Sequence, residues 1–325
     1  MAAAGDETEE LPCVLLLAPT FGPLLETLSK KFRLLKPWES DMPTDLFLAT
    51  HAQSVRALLC SGLTPVNAAT IQSLPSLTCV VTTSAGVNHV DLAECRRRGI
   101  TVTNSGTAFS EDAADYTVGL LIDILRRISA SDRYVRRGFW PRLGEFSPLG
   151  SRLGGKRVGI VGLGNIGSEV AKRLDAFGCI ISYHSRRMKP SVSYPYFSNV
   201  CDLADKSDVL IVACALTDET YHIINKDVLL ALGKDGVIVN VGRGALVDEK
   251  ELVRCLVQGE VGGAGLDVFE NEPSVPEELF VIDNVVLSPH RAVFTPEAFS
   301  AMMEMTIANL EAFFSNKPLL STVRE

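Results

Sequence analysis

No stretch of this 325-residue chain reaches the 18 or so uncharged apolar residues of a membrane-spanning helix. Positive charge is in deficit. Lysine and arginine number 31 against 39 acids, and the resulting net charge of −8 argues against nucleic acid as a principal partner. Basic residues are missing from Met1 to Glu10, which holds four acids, so neither a signal peptide's basic start nor an arginine-rich transit pattern is present. The terminal Thr322-Val323-Arg324-Glu325 is no peroxisomal address, and the expectation is a cytosolic protein. The eight cysteines form no CxxC pair. Cys13, Cys60, Cys79, Cys179 and Cys214 sit in or beside apolar strand-like runs, where a reduced thiol acts as a small hydrophobe. His184 and His222 lack ligand-type neighbours in the sequence, so no metal is expected. Short-period repeats and low-complexity segments are also lacking.

What is present reads as two α/β units, as the length suggests. Strand-like runs at 13–18, 33–36, 55–59, 77–82 and 101–103 are spaced by helical patterns. A second series follows at 157–161, 179–183, 208–213, 237–241, 264–268 and 285–288, fitting a doubly wound parallel sheet. Between them a helix is expected from Ser110 as N-cap, with Thr117, Leu120, Leu121, Ile124, Leu125 and Ile128 forming one apolar stripe. That stripe, and the Arg133, Arg136, Arg137 and Trp140 segment after it, suggest more apolar surface than one subunit covers, hence a homodimer. A last helix is expected over 295–315.

The densest motif follows the run Lys156 to Val161. It reads Gly162-Leu163-Gly164-Asn165-Ile166-Gly167 and passes at once into a helical pattern. The first glycine makes the turn, the second admits a pyrophosphate, the third lets helix approach strand, and the helix N-terminus beginning at Asn165 and Ile166 faces the phosphates. An NAD-preferring unit of this kind ends its second strand in an acid, about 20 residues on, that binds the ribose 2′-hydroxyl. Here no acid occurs between Asp175 and Asp202, and the strand runs into His184-Ser185-Arg186-Arg187. Ser185 can hydrogen-bond a 2′-phosphate while Arg186 and Arg187 neutralise it, so NADP(H) is the expected cofactor. The alternative is a solvated basic turn.

Three charged or titratable groups fall just after strand-like runs, where open α/β sheets bind ligands: Arg243, Glu272 and His290. Together they suit hydride reduction of a ketone. The arginine can bind a carboxylate and polarise the adjacent carbonyl, the histidinium can donate a proton, and the carboxylate can orient and stabilise the histidinium. Taken singly, Arg243 could be a phosphate contact, Glu272 a surface acid and His290 a strand-end cap.

These motifs in this order, Gly162 to Gly167, Val241-Gly242-Arg243-Gly244, Gly265-Leu266-Asp267-Val268, Glu270-Asn271-Glu272-Pro273 and Pro289-His290, resemble the D-2-hydroxyacid dehydrogenase family. The resemblance implies two Rossmann-like or flavodoxin-like parallel-sheet domains with an interdomain active-site cleft. It divides the chain into a discontinuous substrate-binding domain, 1–104 and 291–325, and an NADP-binding domain, 105–290. It makes Arg243 the binder of the substrate carboxylate, His290 the acid/base and Glu272 its partner, and assigns Val241 and Asp267 to the cofactor. The backbone of Ser84, Ala85 and Gly86, in Thr83 to Asn88, becomes part of the substrate site, with Asn88 standing where many members have aspartate. Trp140 corresponds to an aromatic that related reductases place against a partner subunit. The implied activity is NADPH-dependent reduction of a 2-oxo acid, with glyoxylate, hydroxypyruvate and hydroxyphenylpyruvate as candidates. A nucleotide-gated binding protein, like the corepressors that share this fold, is the rival; they keep a similar trio but carry long extensions that this chain lacks.

Overall fold

The structure, a computed structural model, describes residues 11–323. The acidic segment 1–10 and the terminal Arg324 and Glu325, on which part of the compartment reading rests, lie outside the described residues. Two compact units emerge: Met1–Ala108 with Pro296–Glu325, and Phe109–Thr295.

The first unit is built on five parallel strands, β1 (Cys13–Leu16), β2 (Arg33–Leu35), β3 (Ala57–Cys60), β4 (Cys79–Thr82) and β5 (Thr101–Thr103), in the order β2-β1-β3-β4-β5. The register sets Leu15 beside Leu58 and Leu58 beside Val80. Those three face one layer with Ile71 and Leu74, while Val14, Leu59 and Val81 face the other with Leu24, Leu28 and Leu310. Side chains alternate between faces and both faces are covered, so the inner strands β1, β3 and β4 read as nearly continuous apolar runs. Leu310 belongs to the helix Pro296–Phe314, which packs on β4.

The second unit holds seven parallel strands: β6 (Arg157–Val161), β7 (Ile180–His184), β8 (Tyr196–Phe197), β9 (Val209–Val212), β10 (Val237–Asn240), β11 (Gly263–Leu266) and β12 (Val285–Leu287). Their order is β12-β11-β10-β9-β6-β7-β8. The direction of winding reverses between β6 and β9, the point at which ligands bind beyond the strands' carboxyl ends. The sequence suggests six strands here. β8 escapes it because two residues, paired with Tyr183 and His184, are too few to show a period.

The helix expected from Ser110 is Ser110–Arg126, but Phe109 occupies the N-cap position and no side chain caps it. Its stripe from Thr117 to Leu125 is buried against β11 and the helix Asn165–Ala176. Room for this comes from β11, where a Cβ on Gly265 would lie 2.6 Å from Ile124 Cδ1. The stripe is therefore covered within its own unit, which removes it as a reason to expect a partner. Ile128 leaves the stripe because Arg127, left-handed at φ 56°, turns the chain into a second helix, Ile128–Arg136.

All eight cysteines are free thiols. Burial pushes Cys60 and Cys79 up to about 12, so both remain protonated and inert. Among the described residues no helix is long and apolar enough to cross a membrane, and no cluster of histidine, cysteine and acids could hold a metal.

Candidate active site

At the carboxyl end of β6 the chain turns at Gly162, whose φ of +100° is open to glycine. A Cβ there would lie 2.4 Å from the Cys214 nitrogen, and one on Gly167 would lie 2.1 Å from the Gly162 oxygen. Gly164 is the opposite case: a Cβ on it would meet nothing within 4 Å. The helix Asn165–Ala176 starts beside that open space without a side-chain cap, leaving its first turn available to an anion. Two glycines are thus required by the fold, while the third borders the space a pyrophosphate needs. The loop fits a dinucleotide.

β7 delivers the basic turn. Ser185 donates to the Arg187 carbonyl at 2.7 Å, Tyr196 donates to the Ser185 carbonyl at 3.2 Å, and the Lys189 N–H donates to the Tyr183 hydroxyl at 2.8 Å. These bonds fix the backbone, and the Arg186 and Arg187 side chains are exposed.

β10 ends in Asn240, a buried amide that sequence reasoning passes over. Its Oδ1 accepts the Gly242 N–H at 3.0 Å and its Nδ2 donates to the Arg243 carbonyl at 2.9 Å, so one side chain shapes the turn carrying Val241 and Arg243. Arg243 is half-buried, and desolvation lowers its pKa against the opposing pull of Glu272. An arginine stays charged regardless, so its poor hydration makes it a strong anion receptor.

Glu272 and His290 meet directly: Nδ1 of the imidazole lies 2.9 Å from Oε2 of the carboxylate, whose Oε1 accepts the Phe269 N–H at 3.1 Å. A largely apolar cavity of about 260 Å³, walled in part by Phe269, Val275, Phe280 and Leu287, flanks the pair. His290 itself has a left-handed backbone, φ 54°. Asp267, 1% exposed, holds it there. Its Oδ1 accepts from the Ser288 hydroxyl and from the Arg291 N–H at 2.7 Å, its Oδ2 accepts the Ala292 N–H at 2.9 Å, and its own carbonyl accepts the His290 N–H at 2.7 Å. The turn around His290 is thus tied to one buried carboxylate, a scaffold that no local pattern in the sequence announces.

In the first unit, the loop after β4 turns three successive carbonyls inward. Those of Ser84, Ala85 and Gly86 accept from the Ser105 N–H (3.0 Å), Asn104 Nδ2 (2.8 Å) and Ser84 Oγ (2.7 Å). A trans peptide sets its N–H opposite its C=O, so the N–H groups of Ala85, Gly86 and Val87 point the other way, as an anion receptor requires. Asn88 is exposed at the loop's far end, and Trp140, on a short helix of the second unit, is 63% exposed.

Comparison with known proteins bears on the family of the chain. Residues 118–292 match the family model for the NAD-binding domain of D-isomer specific 2-hydroxyacid dehydrogenases. A glyoxylate/hydroxypyruvate reductase of Arabidopsis thaliana is 56% identical over 322 residues, covering 98% of this chain and 99% of the relative. A hydroxyphenylpyruvate reductase of Plectranthus scutellarioides is 48% identical over 310 residues, 95% of this chain and 98% of the relative. Among solved structures, the NADPH-dependent glyoxylate/hydroxypyruvate reductase of Sinorhizobium meliloti, in complex with NADP and malonate, superposes with a TM-score of 0.88 at 37% identity, over 96% of each chain. With the glycine loop, the basic turn and the histidine–carboxylate pair in place, the chain belongs to the D-isomer specific 2-hydroxyacid dehydrogenase family and is an oxidoreductase.

Proposed function

We propose that the protein reduces a small 2-oxo acid, glyoxylate, hydroxypyruvate or hydroxyphenylpyruvate, to the D-2-hydroxy acid with NADPH as the reductant. The observation that carries the reading is the 2.9 Å pair of His290 and Glu272 beside the half-buried Arg243. When bound, the reduced nicotinamide supplies the hydride. Gly162, Gly164, Asn165, Ile166 and Gly167 hold the pyrophosphate, Ser185, Arg186 and Arg187 the 2′-phosphate, and Val241 the neighbouring surface of the cofactor. Asp267, buried and bonded to Ser288, Arg291 and Ala292, would serve the carboxamide site by fixing that turn. Arg243 binds the substrate carboxylate in its two-pronged fork and draws charge toward the carbonyl oxygen. Because Nδ1 of His290 is taken by Glu272, Nε2 is the nitrogen that gives its proton to that oxygen as the hydride reaches the carbon. The carboxylate left behind stabilises the orientation of the ring. The first unit is the substrate-binding one, through the Ser84 to Val87 backbone.

A panel of the three acids with both nicotinamides tests this reading, and no oxidation of NADPH with any of them would overturn it. NADPH is expected to be the better reductant. Arg186→Ala should raise its Kd roughly ten- to a hundredfold, the value of one or two charged hydrogen bonds, while hardly touching NADH. Ser185→Asp with Arg186→Ala should turn the preference toward NADH, since the acid accepts from a ribose hydroxyl and repels a phosphate. Equal use of both cofactors by the parent protein would remove the 2′-phosphate site.

The reading extends to a homodimer in the cytosol. Support for the dimer comes from the segment after Arg127, where Ile128, Val135, Trp140, Leu143 and Leu149 all stand exposed, Leu149 at 94%. Support for a reducing compartment comes from the free thiols. Light scattering at micromolar concentration should return twice the chain mass; a monomer would reject the dimer.

A further inference from the structure

Behind the loops that carry Arg243 and Glu272 stands a second histidine. His222 has a left-handed backbone, φ 50°, uncommon for any residue with a side chain. Its N–H donates to the Ala245 carbonyl at 2.9 Å, two residues beyond Arg243, and Ile224 donates to the Leu246 carbonyl at 3.0 Å and accepts the Asp248 N–H at 2.9 Å. Its ring leaves in another direction. Nε2 lies 2.9 Å from Oε1 of Glu270, two residues before Glu272, and the Tyr221 hydroxyl donates to that same oxygen at 3.3 Å. Tyr221 also stacks on the imidazole, with ring centroids 4.0 Å apart and planes 17° from parallel. Asp248 Oδ2 stands 3.9 Å from Nδ1. The Glu270 N–H is held in turn by Glu249 at 3.0 Å, a carboxyl whose pKa burial raises. Between the two loops there is no slack, for a Cβ on Gly244 would lie 1.9 Å from the Phe269 carbonyl carbon.

We propose that His222 and Glu270 form a positioning pair that fixes the Arg243 turn against the turn bearing Glu272, and so sets the arginine fork relative to the His290 proton. The inference rests on the roles given above to Arg243, Glu272 and His290. One end of the pair is stitched by backbone to the arginine segment, and the other is the carboxylate of the glutamate segment. Cutting the contact leaves the Glu249 bond and the close Gly244 approach in place, so the turns stay together but shift slightly, and small displacements of reacting groups are costly in rate without any loss of folded protein.

His222→Gly removes the ring, keeps the N–H bond to Ala245 and relieves the left-handed backbone, so it should fold. Glu270→Ala removes the other partner, and Glu270→Gln keeps an oxygen for the His222 ring. With rates normalised to NADPH-binding sites counted by fluorescence titration, His222→Gly and Glu270→Ala should each lower kcat by about tenfold, and the double variant should be no slower than either alone. NADPH affinity should stay within about twofold, and Glu270→Gln should recover most of the rate. Unchanged kcat in both single variants, or losses that multiply in the double, would overturn the pair. His290→Asn, assayed alongside, separates the two failures. If it remains active, the active-site reading has failed; if it alone is inactive, only the positioning pair has.

Discussion

Replacing His290 by asparagine should lower kcat for 2-oxo acid reduction by a factor of about 10² to 10⁴, the usual contribution of a positioned general acid. Asparagine suits the test because it accepts a left-handed backbone more readily than most residues, and position 290 has φ 54°. The turn does not depend on the imidazole: Asp267 holds Ser288, Arg291 and Ala292 by bonds that bypass the ring. NADPH binding and thermal stability should therefore survive, and the loss should appear in kcat. Glu272→Gln should give a smaller decrease, because the neutral amide can still accept from Nδ1–H but no longer balances an imidazolium. A His290→Asn enzyme within about tenfold of the parent rate would remove His290 from the proton transfer.

The parts of this site that the sequence makes legible are those whose reason is local. Gly162, Gly164 and Gly167 announce themselves because a turn, an open approach and a close crossing all fall within six residues, and the missing acid after β7 is likewise a matter of adjacent positions. What escapes depends on partners far along the chain. His222 looks inert in the sequence because its carboxylate partner is 48 residues away. Asp267 reads as a cofactor contact, yet three of its bonds go to the turn 21 to 25 residues later. The helix Ser110–Arg126 shows how a period can mislead: a stripe declares that one face is buried without saying against what, and here glycines in β11 admit it into its own unit. The exposed apolar residues lie instead beyond Arg127, with Ile128 and Val135 seven apart on the next helix and Trp140, Leu143 and Leu149 after it.

The largest effect at the binding end should come from Arg243. Its guanidinium is half-buried and donates to the Gly242 carbonyl at 2.8 Å. Burial disfavours the charge, as its lowered pKa records, and Glu272 offsets only part of that cost. A charge held in so poorly hydrated a place gains more from an incoming carboxylate than it would at the surface, and gains again when the carbonyl oxygen becomes negative. Arg243→Ala should therefore lower kcat/KM by roughly 10² to 10³, through kcat and KM together. Arg243→Lys should recover little of this, since a single ammonium cannot span carboxylate and carbonyl as a planar fork does. Removing an under-hydrated charge should leave the thermal midpoint unchanged or raise it, the signature of a residue kept for function. If Arg243→Ala weakened NADPH binding and left the 2-oxo acid KM and kcat alone, the arginine would be a cofactor contact instead; a fall in the thermal midpoint matching the loss of activity would make its role structural.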